Sequence, residues 1–192
     1  PLEEMAAVDR FSLDTPIGVP VILAAGRLHK NKAFDVLITA VEKLQNVHLW
    51  LAGEGPLKSE LVQLSKRLGI VDRVHFLGWR LDMPALYASA DLFVCSSQRE
   101  PLGNVVIEAW AYGVPVICTE AEGPKELVQN GENGLLIPIN NVTALVTAIK
   151  SLLSDKLMRL RFVKSGRHFY EISFAEKIVV EKFCKFFERI TG

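Results

Sequence analysis

Cysteine is scarce in this chain of 192 residues: there are three, an odd number. Cys95 and Cys118 lie in apolar strand-like runs and Cys184 in a helical one. This excludes a disulfide framework and fits reduced thiols in a cytosolic protein. The four histidines are scattered, and no Cys/His pair has zinc-site spacing. No charge sign dominates: Lys plus Arg and Asp plus Glu both number 22, so global charge gives no argument for nucleic acid or an acidic partner. Long hydrophobic runs are missing as well. The longest, around Ile17 to Ala25, is too short to span a bilayer, no signal-peptide pattern opens the sequence, and the protein reads as soluble. After Gly26 the glycines of a G-x-G-x-x-G dinucleotide turn do not follow. The acidic residues that a phospho-acceptor receiver domain carries after its first strand are replaced by bases.

What is present is a 49% hydrophobic composition, enough for one substantial core and one domain at this length. The stretch from Asp91 to Thr119 organises the rest. It reads as a buried strand (Asp91 to Cys95), a polar loop (Ser96 to Gly103), a helix (Asn104 to Tyr112), a Gly113-Val114-Pro115 turn and a second buried strand (Val116 to Thr119). That is a strand, helix, strand crossover of a parallel sheet, in which ligands sit at the carboxyl ends of the strands. Glu100 stands just before the helix and Glu108 inside it. Between them Gly103 allows a sharp turn, and Asn104 and Val105 start the helix with unpaired amides, an anion site. A carboxylate accepts paired hydroxyls, so phosphate flanked by two polyols is one reading. A solvated loop glutamate and a salt-bridged helix glutamate is the other.

Upstream, Val19 to Ala25 is a continuous apolar strand, as expected with helices on both faces. The loop Gly26-Arg27-Leu28-His29-Lys30-Asn31-Lys32 places three cationic side chains at its end, and a helix follows from Ala33 to Leu44. Val47 to Ala52 is a strand, Gly53-Glu54-Gly55-Pro56 a turn that needs small residues, and Leu57 to Leu68 a helix. Arg73 to Leu77 is a short strand. After Gly78-Trp79-Arg80 comes a short helix, Asp82 to Ala88, capped by Asp82. Downstream, Glu122 to Val128 starts another short helix with Pro124 in its first turn, and Asn130 to Gly134 reads as hairpin-like turn chemistry. From Val142 the pattern is helical to the end. Leu145, Ile149 and Leu152 or Leu153 form one apolar stripe, and Leu157, Leu160 and Val163 another. The last helix, Phe174 to Ile190, carries Phe183, Phe186 and Phe187 among mixed charges, a composition that favours packing against protein over lying on a membrane.

The string from Glu100 to Glu108, followed by Ala109, Ala111, Gly113, Pro115 and Val116, resembles the E-x7-E signature of retaining GT-B glycosyltransferases of the group 1 family. Gly26-Arg27-Leu28 with Lys32 resembles the family's G-R-L-x-x-x-K motif, and the matches run in the family's order from about Val8 to Leu136. The resemblance implies an α/β fold: a Rossmann-like, doubly wound, mostly parallel sheet with helices on both faces, the C-terminal half of a GT-B fold, ending in several helices. Residues 1–16, with Val8-Asp9-Arg10-Phe11, would be an interdomain lead-in. Residues 17–170 would form the nucleotide-sugar-binding domain, and 171–192 a helix packing back towards an absent N-terminal domain.

The implied function is donor binding in transfer of a sugar from a nucleoside diphosphate sugar to an acceptor hydroxyl with retention, in glycan, polysaccharide or lipopolysaccharide synthesis. Arg27 and Lys32, with the amides at Gly103, Asn104 and Val105, would hold the diphosphate and stabilise its growing charge. Glu100 would hold the transferred sugar and Glu108 the ribose. Trp79 and Arg80 would meet the nucleobase, although Trp79 reads equally as a surface aromatic closing the core. No Asp-x-Asp pair occurs, so no metal and no cofactor is expected beyond a UDP- or GDP-type sugar co-substrate. The acceptor, a glycan or lipid-linked glycan, would bind through the absent domain, and no nucleic acid is expected. The place would be the cytoplasm, free or peripheral at the inner face of the membrane. Ala33 for the usual glycine and Pro101-Leu102 for the usual small residue and phenylalanine are departures that leave the charges in place. A nucleotide-sugar-binding module without activity of its own, a sugar-nucleotide epimerase and a pyridoxal-dependent phosphorylase are the competing readings.

Overall fold

The computed structural model describes residues 7–191, so the first residues of the lead-in lie outside the described part. Six strands form one sheet in the order β3-β2-β1-β4-β5-β6: β1 (Val21–Ala25), β2 (His48–Ala52), β3 (Val74–Gly78), β4 (Leu92–Cys95), β5 (Val116–Thr119) and β6 (Leu135–Ile137). Every strand pairing is parallel. The strands are near-continuous apolar runs because both faces are covered. Alternate residues serve opposite cores: Ile22, Leu49, Leu51 and Val94 point to one, Val21, Leu23, Trp50 and Phe93 to the other.

The first core is roofed by α1 (Phe34–Glu42), α2 (Lys58–Arg67) and α6 (Val142–Ser154) through Leu37, Ile38, Val41, Leu61, Leu145, Ile149 and Leu152. The second is roofed by α3 (Met83–Ser89) and α4 (Asn104–Ala111) through Leu86, Tyr87, Val106, Ala109 and Trp110. Short α5 (Glu122–Leu127) precedes β6, and α7 (Lys156–Ser173) and α8 (Glu176–Thr191) end the chain. None of the described helices is long and apolar enough to cross a membrane.

Residues 7–16 are fastened beneath the sheet. The Arg10 guanidinium donates to the carbonyls of Ser89 and Val19 and to the Asp91 carboxylate, and the Trp50 indole N–H donates to Thr15. Asp91, expected as the first residue of a strand, instead turns its carboxylate to the Val21 amide.

Four expectations are corrected. Along α7 the inward residues are Phe162 and Gly166, while Leu157 and Leu160 are exposed. The helix lies so close to α4 that a Cβ on Gly166 would come within 2.2 Å of the Trp110 ring, which only that glycine admits. Asp82 does not cap α3; its carboxylate is taken by the Arg80 guanidinium in a two-pronged pair of 2.8 and 2.6 Å. The Asn130 to Gly134 segment does not make a hairpin, because β6 joins β5 in parallel. Its turn is held by the buried Asn133 side chain, which accepts from the Gln129 amide at 2.8 Å, while the Asn133 carbonyl accepts from the Trp110 indole at 3.0 Å. The final helix starts at Glu176, since Phe174 ends α7 with its ring edge-on to Phe169. On α8, Phe183, Phe186 and Ile190 are exposed.

Candidate active site

The sheet order reverses between β1 and β4, so the loops leaving these strands diverge and open a crevice at their carboxyl ends. The loop after β1 begins at Gly26, whose φ of 143° suits glycine, and where a Cβ would lie 2.8 Å from Cε of Lys32. The lysine stem crosses this bare backbone and its ammonium forms an ion pair with the Glu100 carboxylate. Ser97 donates to the same carboxylate oxygen at 3.2 Å. The two loops are stitched together, with Ser96 Oγ donating to the Lys32 carbonyl at 2.8 Å and the Gln98 amide to the Asn31 carbonyl at 2.7 Å. The residues expected to serve diphosphate and sugar are thus partners, with side chains only 19% and 13% exposed.

The Glu100 backbone is held from the other side by α5. Its amide donates to Glu122 Oε2 at 3.3 Å and its carbonyl accepts from the Gly123 amide at 2.7 Å. A Cβ at Gly123 would fall 2.7 Å from that carbonyl oxygen. Hydrogen bonds from its own amide and from that of Glu100 hold the Glu122 carboxyl below its usual value.

Gly103, buried and left-handed at φ 77°, turns the chain into α4, and no side chain caps the helix start. The amides of Asn104 and Val105 therefore point outward with the positive end of the helix. Glu108 follows Asn104 by one turn on the same face, about 6 Å along the axis.

A cleft of about 470 Å³ lies over the ends of β1, β2 and β3, and its walls carry Arg27, Glu54, Trp79, Arg80, Met83 and Glu108. Arg27 is exposed at its edge. The loops after β1 and β2 meet beneath it: a Cβ at Gly53 would lie 2.0 Å from the Gly26 carbonyl, which is why that turn needs glycine. Trp79 is 78% exposed, so it lines the cleft and does not close the core. Arg80 is fixed there by Asp82, whose hydrogen bond raises the guanidinium pKa further. His29, at the turn after β1, accepts from the Asn31 amide at 3.4 Å and serves the turn itself.

Arg27, Trp79, Arg80 and Glu108 therefore share one cleft, Lys32 and Glu100 form a pair in the adjoining loops, and Gly103 to Val105 open the helix that carries Glu108. Sequence reasoning missed Tyr87 beneath Glu108, Ser97 beside Glu100, and the role of Glu122. Ser97 is three residues from Glu100 and was within reach of a local reading, whereas the partner of Tyr87 lies 21 residues away. Among the described residues no three His, Cys, Asp or Glu side chains gather as a metal-ligand set.

A parallel sheet in this order, with a cationic turn and an open helix start at the reversal, defines a Rossmann-like domain of the kind that forms half of a GT-B glycosyltransferase. The chain belongs to the glycosyl transferases group 1 family, whose model matches residues 6–169. It is 39% identical over 181 residues to the lipopolysaccharide core biosynthesis glycosyltransferase LpsE of Rhizobium meliloti (strain 1021), covering 94% of this chain and 53% of that protein. LpsD of the same organism is 36% identical over 95% of this chain and 53% of its own length. The chain spans about half the length of these curated relatives. Its fold matches Anabaena HepE, crystallised with UDP and glucose, at a TM-score of 0.85 and 29% identity, over 88% of this chain and 48% of HepE.

Proposed function

We propose that the chain is the donor-binding half of a retaining, metal-independent glycosyltransferase that takes a sugar from a nucleoside diphosphate sugar to an acceptor hydroxyl. The observation that carries this reading is that Arg27 shares a cleft with Glu108, which stands one turn along the helix whose start is uncapped. Breaking the sugar–phosphate bond leaves growing negative charge on the diphosphate. Fixed cations and helix-start amides at that point stabilise it without reorganising. Arg27, Lys32 and the amides of Gly103 to Val105 form this clamp.

Lys32 forms an ion pair with Glu100. An arriving diphosphate competes for the ammonium and turns the Glu100 carboxylate towards the sugar hydroxyls, orienting the anomeric carbon. Glu108 takes the ribose diol. Trp79 and Arg80, at the cleft mouth, take the base, by stacking on the exposed indole and by the fixed guanidinium.

The complexes of HepE with UDP favour a UDP-sugar, and the two lipopolysaccharide relatives favour an acceptor of the polysaccharide or lipid-linked glycan class. That acceptor binds through the remainder of the protein, in the cytoplasm, free or peripheral at the inner face of the membrane. The chain spans about half the length of these relatives, and in this reading the cleft over the strand ends holds the donor while turnover uses both halves of such an enzyme. Calorimetric titration with UDP-, GDP- and ADP-sugars in the presence of a chelator tests the reading. Binding of one donor class without divalent cation is expected; no nucleotide binding, or binding only with added metal, would sink it.

A further inference from the structure

An exposed glutamate on a helix is free to rotate about three side-chain bonds, and a ligand that uses it must first order it. Beneath Glu108 the structure removes that freedom. Tyr87, on α3, is 1% exposed, its ring stacked on Tyr112 at 5.5 Å and 9° and tilted against Phe93 at 5.5 Å. Its hydroxyl lies 3.1 Å from Glu108 Oε2 and 3.4 Å from the Val105 carbonyl. One hydroxyl proton serves one acceptor at a time, and the nearer, charged carboxylate takes it.

We infer that Tyr87 is a positioning residue: its buried hydroxyl donates to Glu108 and aims the carboxylate into the cleft, so that preference for a ribose diol is set by both residues together. This rests on the reading of Glu108 as the ribose acceptor. The tyrosine occupies one lone pair of Oε2 and leaves Oε1 and the remaining lone pair for the two ribose hydroxyls. With its proton given to Glu108, the same hydroxyl lies 3.4 Å from the Val105 carbonyl, beside the first turn of the helix that carries Glu108. Burial first, and the neighbouring Glu108 carboxylate second, push the Tyr87 hydroxyl well above its ordinary value, which keeps it a donor. Stacking on Tyr112 and contact with Phe93 fix the ring before any ligand arrives.

The test is calorimetry on the chain and its Tyr87→Phe, Glu108→Gln and doubly substituted forms with three probes: UDP, 2′,3′-dideoxy-UDP and inorganic pyrophosphate. Tyr87→Phe is expected to weaken UDP about three- to tenfold, the scale of one net hydrogen bond, and to leave the other two probes unchanged. Added to Glu108→Gln it should cost nothing more. Tyr87→Phe that keeps the full preference for UDP over the dideoxy probe, or that loses all three probes equally, overturns the inference. If Glu108→Gln abolishes the preference and Tyr87→Phe does not, only the role of Tyr87 falls. If Glu108→Gln leaves the preference intact, the ribose reading falls and the inference with it. Should Tyr87→Phe fail to fold, Glu108→Asp replaces it. That surface change withdraws the carboxylate from the hydroxyl, and the readout is the Tyr87 hydroxyl proton by NMR: a slowly exchanging proton in the unsubstituted chain whose shift moves in Glu108→Asp is expected, and no such proton, or an unmoved one, would overturn the proposal.

Discussion

Glu100 is gripped from two sides: Lys32 and Ser97 hold its carboxylate, and Glu122 with Gly123 holds its backbone. The grip depends on Gly123, because a Cβ there would stand 2.5 Å from the Leu102 carbonyl carbon and 2.7 Å from the Glu100 oxygen. Both obstacles are backbone, so the loop must move. Gly123→Ala is expected to cost roughly 1–3 kcal/mol of stability by overpacking, read as a lower melting temperature. It should also remove whatever the sugar adds to the affinity of a UDP-sugar over UDP, while UDP binding stays as it was. An unchanged melt would show that the loop yields at no cost. At this scale the sequence was informative where chemistry is local. Arg27, Lys32 and Glu100 stood out as charges in loops that carry glycine, and Glu108 as a charge inside an otherwise apolar helix; the structure puts Arg27 and Glu108 in one cleft and pairs Lys32 with Glu100. Tyr87 did not, because an apolar-looking ring in a short helix announces packing, and its hydrogen bond spans 21 residues. Asp82 misled for a local reason: a carboxylate at a helix start is also two residues from Arg80, and the guanidinium won.

Among the elements, the strands were legible as continuous apolar runs and the central crossover fell within a residue of its expected bounds. Helix α7 was not. Its periodicity admits more than one stripe, and the choice was made by the tertiary contact of Gly166 with Trp110, which no pattern along α7 records. The turn before β6 was misread because turn residues do not say whether the next strand runs parallel.

The neighbours β2 and β3 add a pH dependence. His48 and His75 stack at 5.1 Å with Nδ1 and Nε2 2.9 Å apart, so one shared proton suits the pair and a second does not. Burial first, then the positive charge of Arg73, lowers the pKa of His48. Burial, then His48, lowers that of His75 against the opposing pull of Asp14 and Asp72. Both folded values thus lie below the ordinary 6.5. About one unit above 6.5 neither state takes up protons at these residues and their contribution is fully present. As pH falls below it, the unfolded chain binds protons that the folded chain refuses, and stability drops until the folded values are passed. Urea melts between pH 7.5 and 5 are expected to show this fall and to show a shallower one for His75→Gln, with the chosen pH values spanning about one unit above and more than one below the histidine range. An equally steep fall in the variant would place the titration elsewhere.

Over the whole molecule, the reversal of strand order between β1 and β4 does the organising. It brings a cationic turn, a gripped glutamate and an uncapped helix start to one end of the sheet, while the Arg10 clamp ties residues 7–16 to the other end. The family and fold were readable because the motifs follow one another in the order in which the strands deliver them to that edge. The partnership of Lys32 with Glu100 was not readable, since each was identified by what it would offer a ligand. The central claim is that the diphosphate is held by the basic turn against the start of α4. Calorimetry of UDP binding to Arg27→Ala and Lys32→Ala, each checked for an unchanged melt, tests it most directly. Each substitution is predicted to weaken binding by about 1.5–3 kcal/mol, the scale of a charged hydrogen bond; wild-type affinity in both variants would contradict the account.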